Sequence, residues 1–162
     1  MRKINKMCSF YVNDWHLTVM MLPYINGKLQ ENEKVTIISE ENLLNNINTI
    51  LERTNIKEEY KKQIQTIGWE KTSQKEIKNK IQEQENGNNI IIIGKEDYIE
   101  NTNQIIETKV KTGEVNVIDC YEIMEFNNNM ENILKNHEKI INTSGERTVE
   151  ESFEGFNKKE AI

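Results

Sequence analysis

Asn89-Ile90-Ile91-Ile92-Ile93-Gly94 decides how this chain folds. A half-buried strand alternates apolar and polar residues, and a buried helix runs longer than this, so four successive isoleucines read as a short strand covered on both faces. That is the position of an inner strand in a parallel sheet flanked by helices. Asn86-Gly87-Asn88 before it and Gly94 after it are turn residues that bound the segment.

The segments on either side are helical. Ser73 to Glu85 is polar on most sides, with Ile77 and Ile81 as anchors, and Glu96 to Val110 carries Tyr98, Ile99, Ile105 and Ile106 at helical spacing. Gly113 then turns the chain into a second apolar strand, Val115 to Tyr121.

The N-terminal half repeats the alternation. Met7 to Val12 reads as a strand, and Asn13 or Asp14 supplies a side-chain oxygen to cap a following helix. Leu17, Met20, Met21, Tyr24 and Leu29 give that helix an apolar face, while Pro23 inside it predicts a kink near Val19 to Pro23 or a break into two helices. Lys34 to Ser39 is a strand and Asn42 to Arg53 a helix with Leu43, Leu44, Ile47, Ile50 and Leu51 as its core face. Lys57 to Gln65 is helical in composition, whereas Ile64 to Trp69 alternates as a short strand closing at Gly68 would. After Tyr121 come a polar spacer and an amphipathic helix through Ile133 and Leu134 that ends near His137.

Strands alternating with helices imply right-handed crossovers, and hence a mainly parallel α/β sheet with helices on both faces. At 162 residues the chain is expected to form one domain over residues 1–147, followed by an acidic, mobile tail over 148–162. Phe153 and Phe156 could dock that tail onto the body or a partner.

Composition excludes several functions. Lys and Arg total 21 against 27 Asp and Glu, and the resulting charge of −6 repels phosphate backbones, so nucleic acid is not an expected ligand. The longest apolar runs, Val19 to Leu22 and Ile90 to Ile93, fall far short of the roughly 20 residues of a membrane span, and no signal-peptide core opens the chain. A cytoplasmic protein is expected. Cys8 and Cys120 lie in predicted strands without a CxxC pattern, which fits a reduced, buried pair.

In an open α/β sheet, ligands sit at the carboxyl ends of the strands, so the loops after Val12, Ser39, Gly94 and Tyr121 are where a site belongs. None carries the GxxxxGK[ST] or GxGxxG pattern that brings backbone amides onto phosphates. Gly94-Lys95 follows a strand but lacks the preceding glycine and the hydroxyl residue. His16 reads as a first-turn helix residue beside a capping acid, and His137 as a helix C-terminal residue, unless either is buried beside a carboxylate in a cleft. Cys120 with Asp119 and His137 could form a nucleophilic constellation, although no nucleophile elbow surrounds the cysteine and a buried strand thiol explains it more simply. Trp15, Trp69, Tyr11 and Tyr24 either line a pocket for a planar ligand or pack in the core. No metal-ligand spacing is present, and no cofactor is implied.

Phe10-Tyr11-Val12-Asn13-Asp14, then Leu22-Pro23-Tyr24-Ile25-Asn26-Gly27-Lys28-Leu29 and the charged turn Gln30 to Lys34 into Val35-Thr36-Ile37-Ile38, resemble the opening of MEDS domains, the sensory domains of methanogen and methylotroph regulators. Asp119-Cys120-Tyr121-Glu122, Phe126, Ile133-Leu134 and His137 before Ile140-Ile141 resemble the closing segment of that family, with Glu138 where its members usually have proline. The resemblance covers about half the chain and leaves Lys57 to Gly113 unmatched. It implies a RecA-like, or more broadly Rossmann-like, three-layer fold without the phosphate loop, used in sensing or interaction rather than catalysis, and a final apolar strand at Ile140-Ile141.

The expected function is therefore a non-catalytic cytoplasmic sensory or adaptor domain, in signalling or transcriptional regulation. It would bind a small ligand or a protein partner through Tyr11, Asp14, Trp15, His16, Tyr121 and Glu122. The alternative is a small hydrolase or transferase using Cys120 or a histidine with a nearby carboxylate, and a homo-oligomeric scaffold is a third possibility.

Overall fold

A computed structural model describes residues 2–82, 88–122, 130–142 and 145–148 of the protein. The chain runs β1 (Arg2–Tyr11), α1 (Asp14–Gln30), β2 (Lys34–Ser39), α2 (Leu44–Leu51), α3 (Glu58–Gln65), α4 (Gln74–Gln82), β3 (Asn88–Gly94), α5 (Glu96–Lys109), β4 (Gly113–Glu122), α6 (Met130–Lys135), β5 (Lys139–Asn142) and β6 (Gly145–Thr148). The strands form one sheet in the order β2-β3-β4-β1-β5-β6, parallel throughout except for β6, which pairs antiparallel with β5.

The isoleucine run behaves as its composition demands. Ile91 and Ile93 point into a core layer built with α1, α2 and α3, while Ile90 and Ile92 point into a second layer built with α4, α5 and α6. All four are 3% exposed or less. Burial of each side chain contributes roughly 1.5–3 kcal/mol, so β3 by itself accounts for a substantial part of the hydrophobic stabilisation. The expected α/β sandwich, helices on both faces of a mainly parallel sheet, is the architecture found.

Two sequence expectations differ from the structure, and of the two outcomes expected at Pro23 one is excluded. β1 begins at Arg2 rather than Met7, because Arg2 to Lys6 pair in register with Gly113 to Val117 despite their polarity. α1 is not broken at Pro23. Pro23 and Val19 both lie on its exposed side, so the Val19 carbonyl that loses its helical partner can be hydrated. Ile64 to Trp69 is the end of α3 followed by a turn and an irregular stretch, with no strand of its own. That stretch runs along the outer edge of β2, where the Ile37 amide donates to the Ile67 carbonyl (3.1 Å), and Ser39 and Lys71 form an isolated bridge. It occupies part of an edge that would otherwise be open to another chain.

The predicted helix at Ser73 is capped by a reciprocal arrangement. The Glu76 amide donates to Ser73 Oγ (3.4 Å), and Ser73 Oγ donates to Glu76 Oε1 (2.9 Å). Cys8 and Cys120 are both buried thiols, as expected, and they belong to opposite core layers. β6 is an addition that the sequence did not signal. The tail beyond Thr148, with Phe153 and Phe156, and Ile123 to Asn129, with Phe126, lie outside the described residues.

Candidate functional site

The strand order fixes where a site can form. From β1 the chain leaves through α1, on one face, and reaches β2 at the sheet edge; from β4, the neighbour of β1, it leaves through α6 on the other face and reaches β5. Connections that diverge from adjacent parallel strands open a crevice at their carboxyl ends. The cleft found there has a volume of about 30 Å³ and is lined by Tyr11 and Asp14 after β1, Glu40, Glu41 and Leu43 after β2, Ile93, Gly94 and Lys95 after β3, and Glu122 at the end of β4.

Local chemistry holds this rim together. The Glu40 amide donates to the Ile93 carbonyl (2.8 Å), and the Lys95 amide donates to Glu40 Oε1 (2.8 Å), so the ends of β2 and β3 are stitched by one acidic residue. Gly94 is required by close approach. A Cβ there would lie 2.8 Å from a ring carbon of Tyr98 and 2.9 Å from Glu40 Oε1. Tyr98 is itself anchored, since its hydroxyl donates to the Thr72 carbonyl (2.9 Å) and burial pushes its pKa up to about 12.

α1 begins beside the cleft. Asn13 Oδ1 accepts the His16 amide (2.8 Å) as the helix cap, and His16 Nδ1 accepts the Val12 amide (3.1 Å). His16 thus closes the turn after β1, and its ring lies outside the cleft lining. Tyr11 is 5% exposed, and its hydroxyl has no hydrogen-bond partner among the described residues. Burial, and then the neighbouring Cys120, Glu122, Asp14 and Glu41, hold the phenol well above its ordinary pKa, so it stays protonated.

Of the six residues expected to bind a ligand, the structure brings Tyr11, Asp14 and Glu122 into one cleft. Trp15 is elsewhere, 46% exposed on the outer side of α1 with Val19 (45%), and Val12 in the turn before the helix is 50% exposed. Tyr121 faces the opposite core layer, stacking obliquely with Phe10 (6.1 Å between centroids) and edge-on to His137 (6.3 Å). Glu40 and Glu41 carry no signal in the sequence, and Lys95 stands out there only in a Gly94-Lys95 pair that fails as a phosphate loop. The loops after Ser39 and Gly94 were places to search, but the search there was for glycine-rich phosphate patterns, and carboxylates contributed by three separate loops have no linear spacing to detect.

A second polar cluster lies under α5 and α6. Asp119, 1% exposed, accepts from Asn103 Nδ2 at Oδ1 (2.9 Å) and from Lys6 Nζ and His137 Nε2 at Oδ2 (both 2.7 Å). Lys6 Nζ also donates to Asn103 Oδ1. The other ring nitrogen of His137 lies 2.5 Å from the Ile133 carbonyl oxygen. Both ring nitrogens of His137 are thus engaged by oxygen atoms of the protein. Burial alone would raise the Asp119 pKa. The hydrogen bond from His137 and the charge of Lys6 outweigh burial and hold the carboxyl below its usual range.

This cluster does not make a nucleophile. Cys120 is 0% exposed, points into the opposite core layer from Asp119 and His137, and has its Sγ 3.9 Å from Met21 Sδ. Burial and the nearby Asp119 push its thiol pKa far up. Among the described residues no group of His, Cys, Asp and Glu is placed to hold a metal ion, and no helix is long and apolar enough to cross a membrane. Neither family models, curated proteins nor solved structures match the chain.

Proposed function

We propose that the protein is a non-catalytic binding domain, sensory or adaptor in role, that takes up a small ligand at the carboxyl ends of β1 to β4. The observation that carries this reading is the rim cleft, placed where β1 and β4 send their connections to opposite faces and entered by Tyr11, Asp14 and Glu122. Two features favour binding over catalysis. Cys120 is sealed in the core, so a thiol nucleophile has no access to a substrate, and both ring nitrogens of His137 are engaged, although His137 and Asp119 border a separate cleft of about 290 Å³. The resemblance to MEDS domains, resting on the residues quoted for it, agrees with a cytoplasmic regulatory role.

Amide chemical-shift mapping tests the proposal with a panel of small cationic, neutral and anionic metabolites. Support is a saturable shift confined to the amides of residues 12–14, 40–41, 94–95 and 122. Binders that perturb only other regions, or turnover of a nucleoside triphosphate, contradict it.

A protein partner is the second reading, favoured by the exposed trio Val12, Trp15 and Val19 at the start of α1. Trp15→Ala separates the two. It is expected to leave small-ligand binding at the cleft intact while weakening any association that uses the outer side of α1.

A further inference from the structure

We infer that the rim cleft receives the primary ammonium group of a small organic cation, an assignment that rests on the rim-binding proposal and deepens it. Size comes first. A single water needs about 10–15 Å³, so a cleft of about 30 Å³ admits one small head group and excludes a nucleotide or a phosphate chain.

Charge decides the sign. Asp14, Glu40, Glu41 and Glu122 face the cleft against one cationic lining residue, Lys95. Glu40 commits one oxygen to the Lys95 amide, while the carboxylates of Asp14, Glu41 and Glu122 enter no ion pair among the described residues. The start of a helix ordinarily attracts anions, but Asp14 occupies the first turn of α1 and reverses that preference here.

Tyr11 supplies the observation independent of the acidic residues. Its side chain is almost fully buried, its hydroxyl has no hydrogen-bond partner among the described residues, and it borders the cleft beside three carboxylates, none of which accepts its proton. A protonated phenol so placed offers its oxygen lone pair to a donor entering from the cleft. An ammonium group brings three N–H donors and needs acceptors in several directions, which the phenol oxygen and the carboxylates provide. A bare metal ion needs ligands converging at bonding distance, and the described residues offer no such set.

The test is titration of the full chain with methylammonium, followed by calorimetry and amide shifts, with methanol as the neutral isostere, inorganic phosphate as the anion, and Mg²⁺ and Ca²⁺ as the metal probes. Methylammonium is expected to saturate shifts at Val12, Glu41, Lys95 and Glu122, with methanol and phosphate silent. Asp14→Asn, Glu122→Gln and Tyr11→Phe are each expected to weaken it about tenfold, the loss of one charge-assisted hydrogen bond. Glu122 is only half-buried, so Glu122→Gln keeps the test sound should Tyr11→Phe unfold the chain.

Undiminished affinity in folded variants would mean diffuse attraction to a protein of charge −6, and would overturn the assignment. So would saturation of the same amides by Mg²⁺ or Ca²⁺ with methylammonium silent, a result that leaves the rim-binding proposal standing. If methylammonium is silent while a neutral or anionic metabolite shifts the rim amides, the ammonium assignment again falls alone. If nothing in the panel reaches the rim, both fall.

Discussion

Asp119 shows how one side chain can look catalytic in sequence and be structural in space. It stands beside Cys120 in the chain, but strand alternation sends the two to opposite faces of β4, and Asp119 instead joins Lys6, Asn103 and His137. Removing its charge takes the ion-pair partner from half-buried Lys6 and the carboxylate acceptor from buried His137, so Asp119→Asn is expected to destabilise the fold by about 3–5 kcal/mol, measurable by urea unfolding. The pH dependence follows from the direction of its shift. A carboxyl held below its usual pKa in the folded state contributes fully above the unfolded value of about 3.9 and loses that contribution as pH falls through the folded value. The wild type is therefore expected to lose stability below about pH 4, and Asp119→Asn to lack that part of the acid limb. Cys120 gives a second residue-scale prediction. Its buried thiol is expected to react with a thiol reagent only after unfolding, and native-state labelling as fast as a free thiol would contradict the placement.

Elements were legible where periodicity carried them and illegible where pairing did. Ile90 to Ile93 declared β3, and Leu43 to Leu51 declared α2, because apolar spacing is set by the same burial that stabilises the element. The first half of β1 and all of β6 are polar stretches held by their neighbours: Lys3 and Asn5 by register with β4, Gly145 to Thr148 by the hairpin with β5. No local signal could have revealed them. α1 carries two residues that disfavour helix, Pro23 and Gly27, and yet runs unbroken. A Cβ at Gly27 would have no atom within 4 Å, so Gly27→Ala is expected to raise stability by about 0.5–1 kcal/mol, visible as a higher midpoint in thermal or urea unfolding. The cap of α4 predicts the reverse: Ser73→Ala is expected to cost about 1 kcal/mol in the same measurement.

At the scale of the whole molecule, the sequence indicated a helix-flanked parallel sheet but not its strand order, and the order is what makes the site. Tyr11 and Glu122 are far apart in the chain, and they are neighbours because β1 inserts beside β4 with Tyr11 paired to Glu122. Asp14 and Glu41 reach the same cleft from the starts of other connections. Half of the expected site residues were found there because they flank strand ends, and the rest were not, because sequence adjacency does not say which face a side chain takes. The central claim is that this rim accepts a positively charged group. A crystal structure of the protein soaked with ethylammonium tests it most directly. The account predicts the nitrogen within hydrogen-bonding distance of Tyr11 Oη and of at least one of the carboxylates of Asp14, Glu41 and Glu122. An empty cleft at saturating amine, or a phosphate bound there in its place, would contradict it.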